Sequence, residues 1–462
     1  MDIYSQMRNI KKVRMTMPTT AASPATMNGI EGHSHSGPQH SPPYPHLHSS
    51  SHPPPHPPPH PHSPPRPSYT STKYSGLYGN RGLSGMANVG NSCYLNSCMQ
   101  VLSHTYELNT FLDKQQYVNR INKNIDAVVL IKWDQLRKLL WDKNCNIIPG
   151  GFIKYIRQIA TTKGRHIFTG FSQNDVQEFL LFIIDSFHLA LSRRVNITIS
   201  GTPANQRDVL AQACFNMMRD TYQTDYSEIV DLFYGIQVSQ ILEIGPGRPT
   251  TSGGGEMPVS SSGTGTGTGT AALSPTSSSA TPRVLSAKPE PFMVLSLSIT
   301  SYDGRVQYRS LSECLDAYCE VERMEGDNAW FNEETNSKQA VDKCTKFWKL
   351  PDVFIIDLKR WTMNRRKNHT AIEIPVSNAD FSKYICGYCP ESYKYELYGI
   401  CNHYGSGMNG GHYTAYIRTA NNQWYEFNDT YVHPLEVHED NAESIHALTR
   451  NAYCLFYRKI KR

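Results

Sequence analysis

The stretch Gly-Leu-Ser-Gly-Met-Ala-Asn-Val-Gly-Asn-Ser-Cys-Tyr-Leu-Asn-Ser-Cys-Met-Gln, residues 82–100, decides how the chain is read. Glycines and small polar residues run up to Cys93, and an apolar helical period then begins with Leu95, Cys98, Met99 and Leu102. A loop therefore ends, and a helix starts, at a cysteine. Asn91 or Ser92 is placed to cap that helix, and its first turn, with unpaired N–H groups and the positive end of the dipole, suits a thiolate nucleophile. Asn88 lies five residues upstream, where its amide N–H can turn toward an oxygen that becomes negative as Cys93 attacks a carbonyl. Taken alone, a single cysteine at a helix start is more commonly a small buried apolar residue.

Position by position, however, the stretch resembles the cysteine box of the ubiquitin-specific proteases, Gly-Leu-x-Asn-x-Gly-Asn-Thr-Cys-Tyr-x-Asn-Ser-x-x-Gln. Asn88, Gly90, Asn91, Cys93, Tyr94, Asn96, Ser97 and Gln100 match, Ser92 keeps the hydroxyl of the family's Thr, and Gly85-Met86 replaces Gly-Leu. Further along, Gln173-Asn-Asp175-Val-Gln-Glu178-Phe-Leu opens an amphipathic segment with Val176, Phe179, Leu180, Ile183 and Phe187 on one face. Ser172 and Asp175 give it a start like a capping box. On its own this is a well-capped helix. It resembles the family's second signature, Gln-x-Asp-x-x-Glu-Phe-Leu, which implies that Gln173 supports the active site while Asp175 and Glu178 line the cleft for the substrate's extended C-terminal tail. Ubiquitin's tail carries arginines, and a carboxylate takes a guanidinium in two parallel hydrogen bonds.

A thiolate needs a base that can also return a proton to the leaving amine, and histidine suits both tasks. Nine histidines lie beyond residue 78, so composition does not choose among them. Context does: Asn402-His403-Tyr-Gly, a short loop, then Gly410-Gly411-His412-Tyr413-Thr-Ala-Tyr416 resembles the family's histidine box. The match makes His412 the base and His403 a supporting residue. Gly410 and Gly411 let the loop approach a bound chain closely, and with Tyr413 they are assigned to substrate binding. A third polar group must hold the imidazole in the right tautomer. In Trp424-Tyr-Glu-Phe427-Asn428-Asp429 the family usually has Asp after the Phe; Asn428, which some active members share, is taken as the third member, with Asp429 as a neighbouring auxiliary.

The rest of the chain sets bounds. Of 462 residues, 1–78 hold nine of the 18 histidines, dense proline and serine and few branched apolar residues, too little apolar surface to offset chain entropy. This part is expected to be a disordered His/Pro-rich tail whose deletion leaves activity intact. Its six basic and two acidic residues give +4 of the formal +5, so the remainder is nearly neutral and no nucleic-acid surface is expected. The tract at 33–67 favours polyproline II and so suits an SH3- or WW-type groove, although a solvated tail is the commoner fate of such tracts. The first 17 residues lack the apolar centre of a signal peptide, and the longest apolar run, 179–184, is too short to span a bilayer, so no membrane association is expected. Eleven scattered cysteines suit a reducing compartment. An intracellular protein of the cytoplasm or nucleus follows, in the host cell if the source is viral.

Residues 79–462 are expected to form the catalytic domain, interrupted at 245–290 by a flexible Gly/Ser/Thr-rich insertion that a hairpin tip can carry. The segment 121–142 reads as mostly helical, with Val128, Leu130, Ile131, Leu136, Leu139 and Leu140 as core. Leu350-Pro351-Asp-Val-Phe-Ile-Ile-Asp-Leu-Lys359-Arg360-Trp361 reads as a buried strand and resembles the family's scaffold strand. Many family members hold zinc in the fingers with two Cys-x-x-Cys pairs. Here Phe331 and Glu334 stand where the second pair belongs, and the one Cys-x-x-Cys, Cys386-Gly-Tyr-Cys389, lies elsewhere, so no metal or other cofactor is expected.

The order of these motifs outweighs the bland reading of each. The resemblance implies an α+β, papain-like cysteine protease fold with thumb, palm and fingers, acting on ubiquitin and ubiquitinated proteins by cutting after ubiquitin's C-terminal glycine. A ubiquitin-binding pseudoenzyme, or a scaffold acting through the Pro/His tail, is the alternative, and the presence of both nucleophile and base argues against it.

Overall fold

The computed structural model describes residues 14–16, 68–244 and 282–462, with 363, 365, 408, 409 and 462 excepted. Two regions of secondary structure meet at a cleft. The first is helical: α1 (Tyr69–Tyr78), α2 (Cys93–Ser103), α3 (Ile125–Asp142), α4 (Gly150–Thr162), α5 (Val176–Leu191) and α6 (Gln206–Tyr222). The helix α3 starts where Asn124 accepts a hydrogen bond from the Ala127 N–H at 2.9 Å, and it buries Val129, Leu130, Trp133, Leu136 and Leu140. Ile131 and Leu139, expected in the core, are exposed. At 100° per residue both fall on the side of the helix opposite Trp133.

The second region is built from two sheets, whose strands are β1 (Gly235–Leu242), β2 (Val284–Phe292), β3 (Val294–Ser298), β4 (Val341–Lys349), β5 (Val353–Lys359), β6 (Lys394–Gly407), β7 (Gly410–Arg418), β8 (Trp424–Asn428), β9 (Tyr431–Leu435) and β10 (Ala452–Lys459). The large palm sheet runs β9-β8-β7-β6-β10-β5-β3, antiparallel except where β5 lies parallel to β3. Its two faces carry different cores. Val353 and Ile355 of β5 pack with the helices, whereas Phe354, Ile356 and Leu358 pack on the other side. The fingers are a smaller sheet in the order β2-β1-β4 followed by the strand Glu322–Met324, with the hairpin Trp330–Asn332 and Ser337–Gln339 beyond.

Two expected boundaries move. The insertion was placed at 245–290, yet β2 occupies Val284–Phe292 and pairs with β1 from Gly235 to Leu242; residues 245–281 lie outside the described residues. The tail was expected to reach residue 78, yet Tyr69–Tyr78 is a helix. It has no branched apolar stripe, and what it buries is tyrosine: Tyr74 and Tyr78, one turn apart, pack on Tyr106, with the Tyr78 and Tyr106 rings stacked at 4.6 Å. Thr70 is fully buried and binds Glu396 of β6 and Arg458 of β10. Within the same expected tail, Arg14–Thr16 pairs antiparallel with Asn196–Thr198. The Pro/His tract at 33–67 lies outside the described residues.

Candidate active site

The loop before Cys93 is shaped by backbone that favours glycine and asparagine. Gly90 has φ +74° and Asn91 φ +54°. A Cβ on Gly90 would stand 2.7 Å from the Phe171 ring, so this glycine is required by space as well as by φ. Asn91 Nδ2 fixes the loop by donating to the Phe171 carbonyl at 2.8 Å. Ser92 occupies the N-cap position of α2, but its hydroxyl accepts from the Val89 N–H at 2.8 Å instead of from the helix, and no side chain caps α2. The expected cap is therefore not made. The serine closes the loop on itself, and the positive end of α2 is left facing the cleft. Cys93 is 1% exposed and begins the helix there.

His412, the third residue of β7, is half-buried across from Cys93. Its Nε2 lies 2.8 Å from Asn428 Oδ1 and donates to it, which turns Nδ1 toward the sulfur. The hydrogen bond with Cys93 is the main reason that the imidazole's pKa is pushed up to about 9; burial opposes it, and Asn428, then the electrostatics of Cys93 and Asp429, add to it. Asn428 ends β8, paired with Tyr431 across a turn in which Asp429 has φ +51°.

Asp429 turns away from the imidazole. Its Oδ2 accepts from Asn88 Nδ2 at 3.0 Å, its Oδ1 from Asn96 Nδ2 at 2.7 Å, and its carbonyl from the Met86 N–H at 2.8 Å. The carboxylate thus clamps the loop before Cys93 onto the turn after Asn428. Asn88 is held from both ends of its amide, since Oδ1 accepts from the Ser92 N–H at 3.0 Å, and one Nδ2 hydrogen remains beyond the bond to Asp429. Asn96 is the residue whose role the sequence reading left unassigned. Sequence alone could not single it out, because Ser97, Gln100 and Ser103 are also polar residues of this helix; its burial at 2% exposure is what demands partners.

The residues expected along the substrate channel divide by exposure. Gln173 donates through Nε2 to the Gly411 carbonyl, joining the start of α5 to the strand edge of His412. Asn91, Ser172, Gln173 and Gly410 line one opening. Gly411 touches His403 so closely that a Cβ would lie 2.3 Å from its ring Nε2. His403 itself is buried, and burial takes its pKa down to about 4, so it is a neutral packing residue under the hairpin. Tyr413, expected to contact substrate, is buried, with its ring 4.6 Å from that of His403. Asp175, without Ser172, caps α5: Oδ1 accepts from the N–H groups of Gln177 at 2.7 Å and Glu178 at 3.4 Å, and Oδ2 accepts from the Tyr453 hydroxyl. Glu178 is exposed, and partial burial followed by the Asp175 charge raises its pKa, the condition of an acid that a cation would stabilise.

A cysteine at the start of a buried helix, facing a histidine and an asparagine on a sheet, defines a papain-like thiol hydrolase fold. Residues 84–457 match the family described as "Ubiquitin carboxyl-terminal hydrolase", and the chain belongs to that family. A probable ubiquitin carboxyl-terminal hydrolase of Acanthamoeba polyphaga mimivirus is 25% identical over 83% of this chain and 91% of its own length. Ubiquitin carboxyl-terminal hydrolase Usp2 of Drosophila melanogaster is 28% identical over 82% of this chain, and ubiquitin carboxyl-terminal hydrolase 2 of Homo sapiens is 26% identical over 82%. The chain spans only 35% of the fly protein and 55% of the human one. Among solved structures, a Ubp8/Sgf11/Sus1/Sgf73 module of SAGA bound to ubiquitin aldehyde superposes with a TM-score of 0.56 at 24% identity, over 83% of this chain and 71% of that one, a likeness of fold.

Proposed function

We propose that residues 79–462 are a deubiquitinating cysteine protease that hydrolyses the peptide or isopeptide bond after ubiquitin's C-terminal glycine. The observation that carries this reading is the placement of His412 between Cys93 and Asn428, groups from a helix and a sheet that are far apart in the chain. The Cys93 sulfur, its proton passed to His412, attacks the glycine carbonyl, and the negative oxygen is met by the Asn88 amide and N–H groups at the start of α2. His412 gives its proton to the departing lysine amine, leaving a thioester. Water, deprotonated by the same imidazole, then releases ubiquitin and restores the sulfur. Asn428 holds the ring, and Asp429 acts through Asn88 and Asn96. Glu178 faces the arginines of the tail, with Gln173, Gly410 and Gly411 as the walls of its channel, while Asp175 and Tyr413 support that channel from beneath.

A ubiquitin probe with a C-terminal electrophile tests this reading. Covalent labelling of the wild type that disappears in Cys93→Ala supports it; a wild type that binds the probe without labelling supports the binding or scaffold alternative. Among the described residues no helix is long and apolar enough to cross a membrane. An intracellular site of action is our reading of the cysteine usage, and imaging of the full chain tests it. The tract at 33–67 suits an SH3- or WW-type groove, for which titration of that peptide against such a domain is the test.

A further inference from the structure

Beneath the cleft lies an acid that the proposed chemistry does not use. Asp357, near the end of β5, is 5% exposed. It shares a strand face with Val353 and Ile355, which pack with the helices, so it projects toward the start of α5 and the carboxylate of Asp175. Its Oδ1 has no hydrogen-bonding partner among the described residues. Among the described residues its side-chain hydrogen bond is with Ser296, which stands opposite it in the parallel register of β3 and also accepts from Gln177 Nε2 of α5 at 3.3 Å. The short chain Asp357–Ser296–Gln177 therefore joins the palm to the helix that carries Glu178.

Among the described residues the nearest cations, Lys359 and Arg360, compensate for this burial only in part. Arg360 is alternate to Asp357 along the chain and gives its Nε and Nη1 to the carbonyls of Ala452, Asn368 and Thr370. Lys359 ends the strand with an exposed side chain. From β10, Cys454 lies opposite Asp357, and Tyr453 gives its hydroxyl to Asp175. Ionised, Asp357 would be a buried charge beside a second carboxylate, which is costly. Burial first and the Asp175 charge second push its pKa up to about 7, against the Ser296 hydrogen bond and the charges of Lys359 and Arg360, which favour the carboxylate; repulsion from Asp175 is therefore what ionisation adds.

We propose that Asp357 is a positioning residue of the substrate channel: as the neutral acid it seats β5 and β3 against the start of α5, and on ionising it loosens the seat of Asp175 and Glu178. The part that concerns substrate rests on the function proposed above; the part that concerns the proton does not. A carboxyl that is harder to ionise in the folded chain than in the unfolded one contributes stability below the unfolded value near 4, and that stability is lost as pH rises toward 7.

The test is thermal unfolding of the full chain, without substrate, across pH 5–8, for wild type and Asp357→Asn. The isosteric amide removes the ionisation, so the variant should unfold about 5 °C or more above the wild type at pH 8 and lose most of that advantage at pH 5. With a fluorogenic ubiquitin substrate, KM of the wild type should rise from pH 6 to pH 8 relative to that of the variant, while the ratio of their kcat values stays constant. An Asp357→Asn protein that unfolds below the wild type at pH 8, or that keeps the wild-type pH slope, overturns the proposal. Should Asp357→Asn fail to fold, Asp175→Asn followed by unfolding alone should move the wild-type window to lower pH, and an unmoved window overturns it. Absence of turnover on ubiquitin would count against the protease reading and leave the unfolding result standing.

Discussion

Every residue of α2 from Cys93 to Ser103 is buried, whereas the strand edge across the cleft opens with exposed Gly410 and half-buried Gly411 and His412. The sulfur is placed by packing and the imidazole by hydrogen bonds. Packing is insensitive to pH and intolerant of volume; a hydrogen-bonded ring is sensitive to pH and to the loss of one partner. The two walls should therefore fail in different ways when altered. The largest loss is expected at the sulfur itself. Cys93→Ser keeps nearly the same shape, so the melting temperature should stay close to that of the wild type while turnover of a ubiquitin substrate falls about 10⁴-fold or more. A loss below about tenfold would show that the buried wall does not carry the nucleophile.

A structural effect comes next, because α1 is fastened to both walls. Thr70 binds Glu396 and Arg458 of the sheet, while Tyr74 and Tyr78 lie on Tyr106 and donate to Glu107 and Asp113 on the helical side. Arg458 is fully buried, held by Thr70, by Glu107 at 2.7 Å and by the His104 carbonyl at 2.9 Å, and ringed by tyrosines. Deleting residues 1–67 leaves this set intact and removes only the three-residue pairing of Arg14–Thr16 with Asn196–Thr198, so it should change stability little. Deleting 1–78 takes the Thr70 hydrogen bond and the Tyr74 ring from buried Arg458, whose ion partner Glu107 remains, so it should lower stability by about 1–3 kcal/mol, while the expectation that activity survives is tested separately by turnover. Denaturant titration of the two truncations decides: equal midpoints would show that α1 adds nothing.

The same contrast explains what could be read before the structure. The cysteine and histidine boxes were legible because each is a loop whose glycines and asparagines answer to local demands, such as positive φ at Gly90 and Asn91 and the absence of a Cβ at Gly411. The fold's layers followed from those boxes by resemblance. What was not legible depended on partners distant in the chain. Nothing near Tyr69 announces that Arg458 waits for it, and polar composition concealed a helix that buries aromatic rings and one threonine. Asp429 could be placed beside His412 but not assigned to Asn88 and Asn96, since only the meeting of two loops gives it those partners. Ile131 and Leu139 were misplaced for a simpler reason: a list of apolar residues is not yet an arc on a helix.

On the open wall, Gly411→Ala should have the next largest effect on turnover. The added methyl would meet His403 Nε2 at 2.3 Å and the Tyr404 carbonyl at 2.4 Å. Backbone cannot yield there without moving His412, one residue on, and a displacement of about 1 Å in a catalytic group costs about 10²-fold. Steady-state kinetics should show the loss in kcat; a variant within threefold of the wild type would mean that the hairpin adapts and that its wall is looser than described.

The smallest change sharpens the contrast most. Asn428→Ala removes the acceptor 2.8 Å from His412 Nε2 and nothing else from the cleft. The ring keeps its Cys93 interaction, so turnover should fall about 10- to 100-fold, far less than in Cys93→Ser. The informative quantity is pH. Because the folded His412 pKa is raised to about 9 from an ordinary 6.5, the protonated ring and the stability it lends persist through neutrality and are lost as pH rises through about 9. The wild-type kcat/KM profile should therefore show an alkaline limb near pH 9. Asn428 is one of the groups that raise the value, so its removal moves the limb toward lower pH, and Asn428→Asp, which adds a charge, moves it higher. An alkaline limb unmoved by either substitution would mean that the Cys93 wall alone sets the proton affinity of the imidazole, and that the asparagine holds the ring's direction without holding its proton.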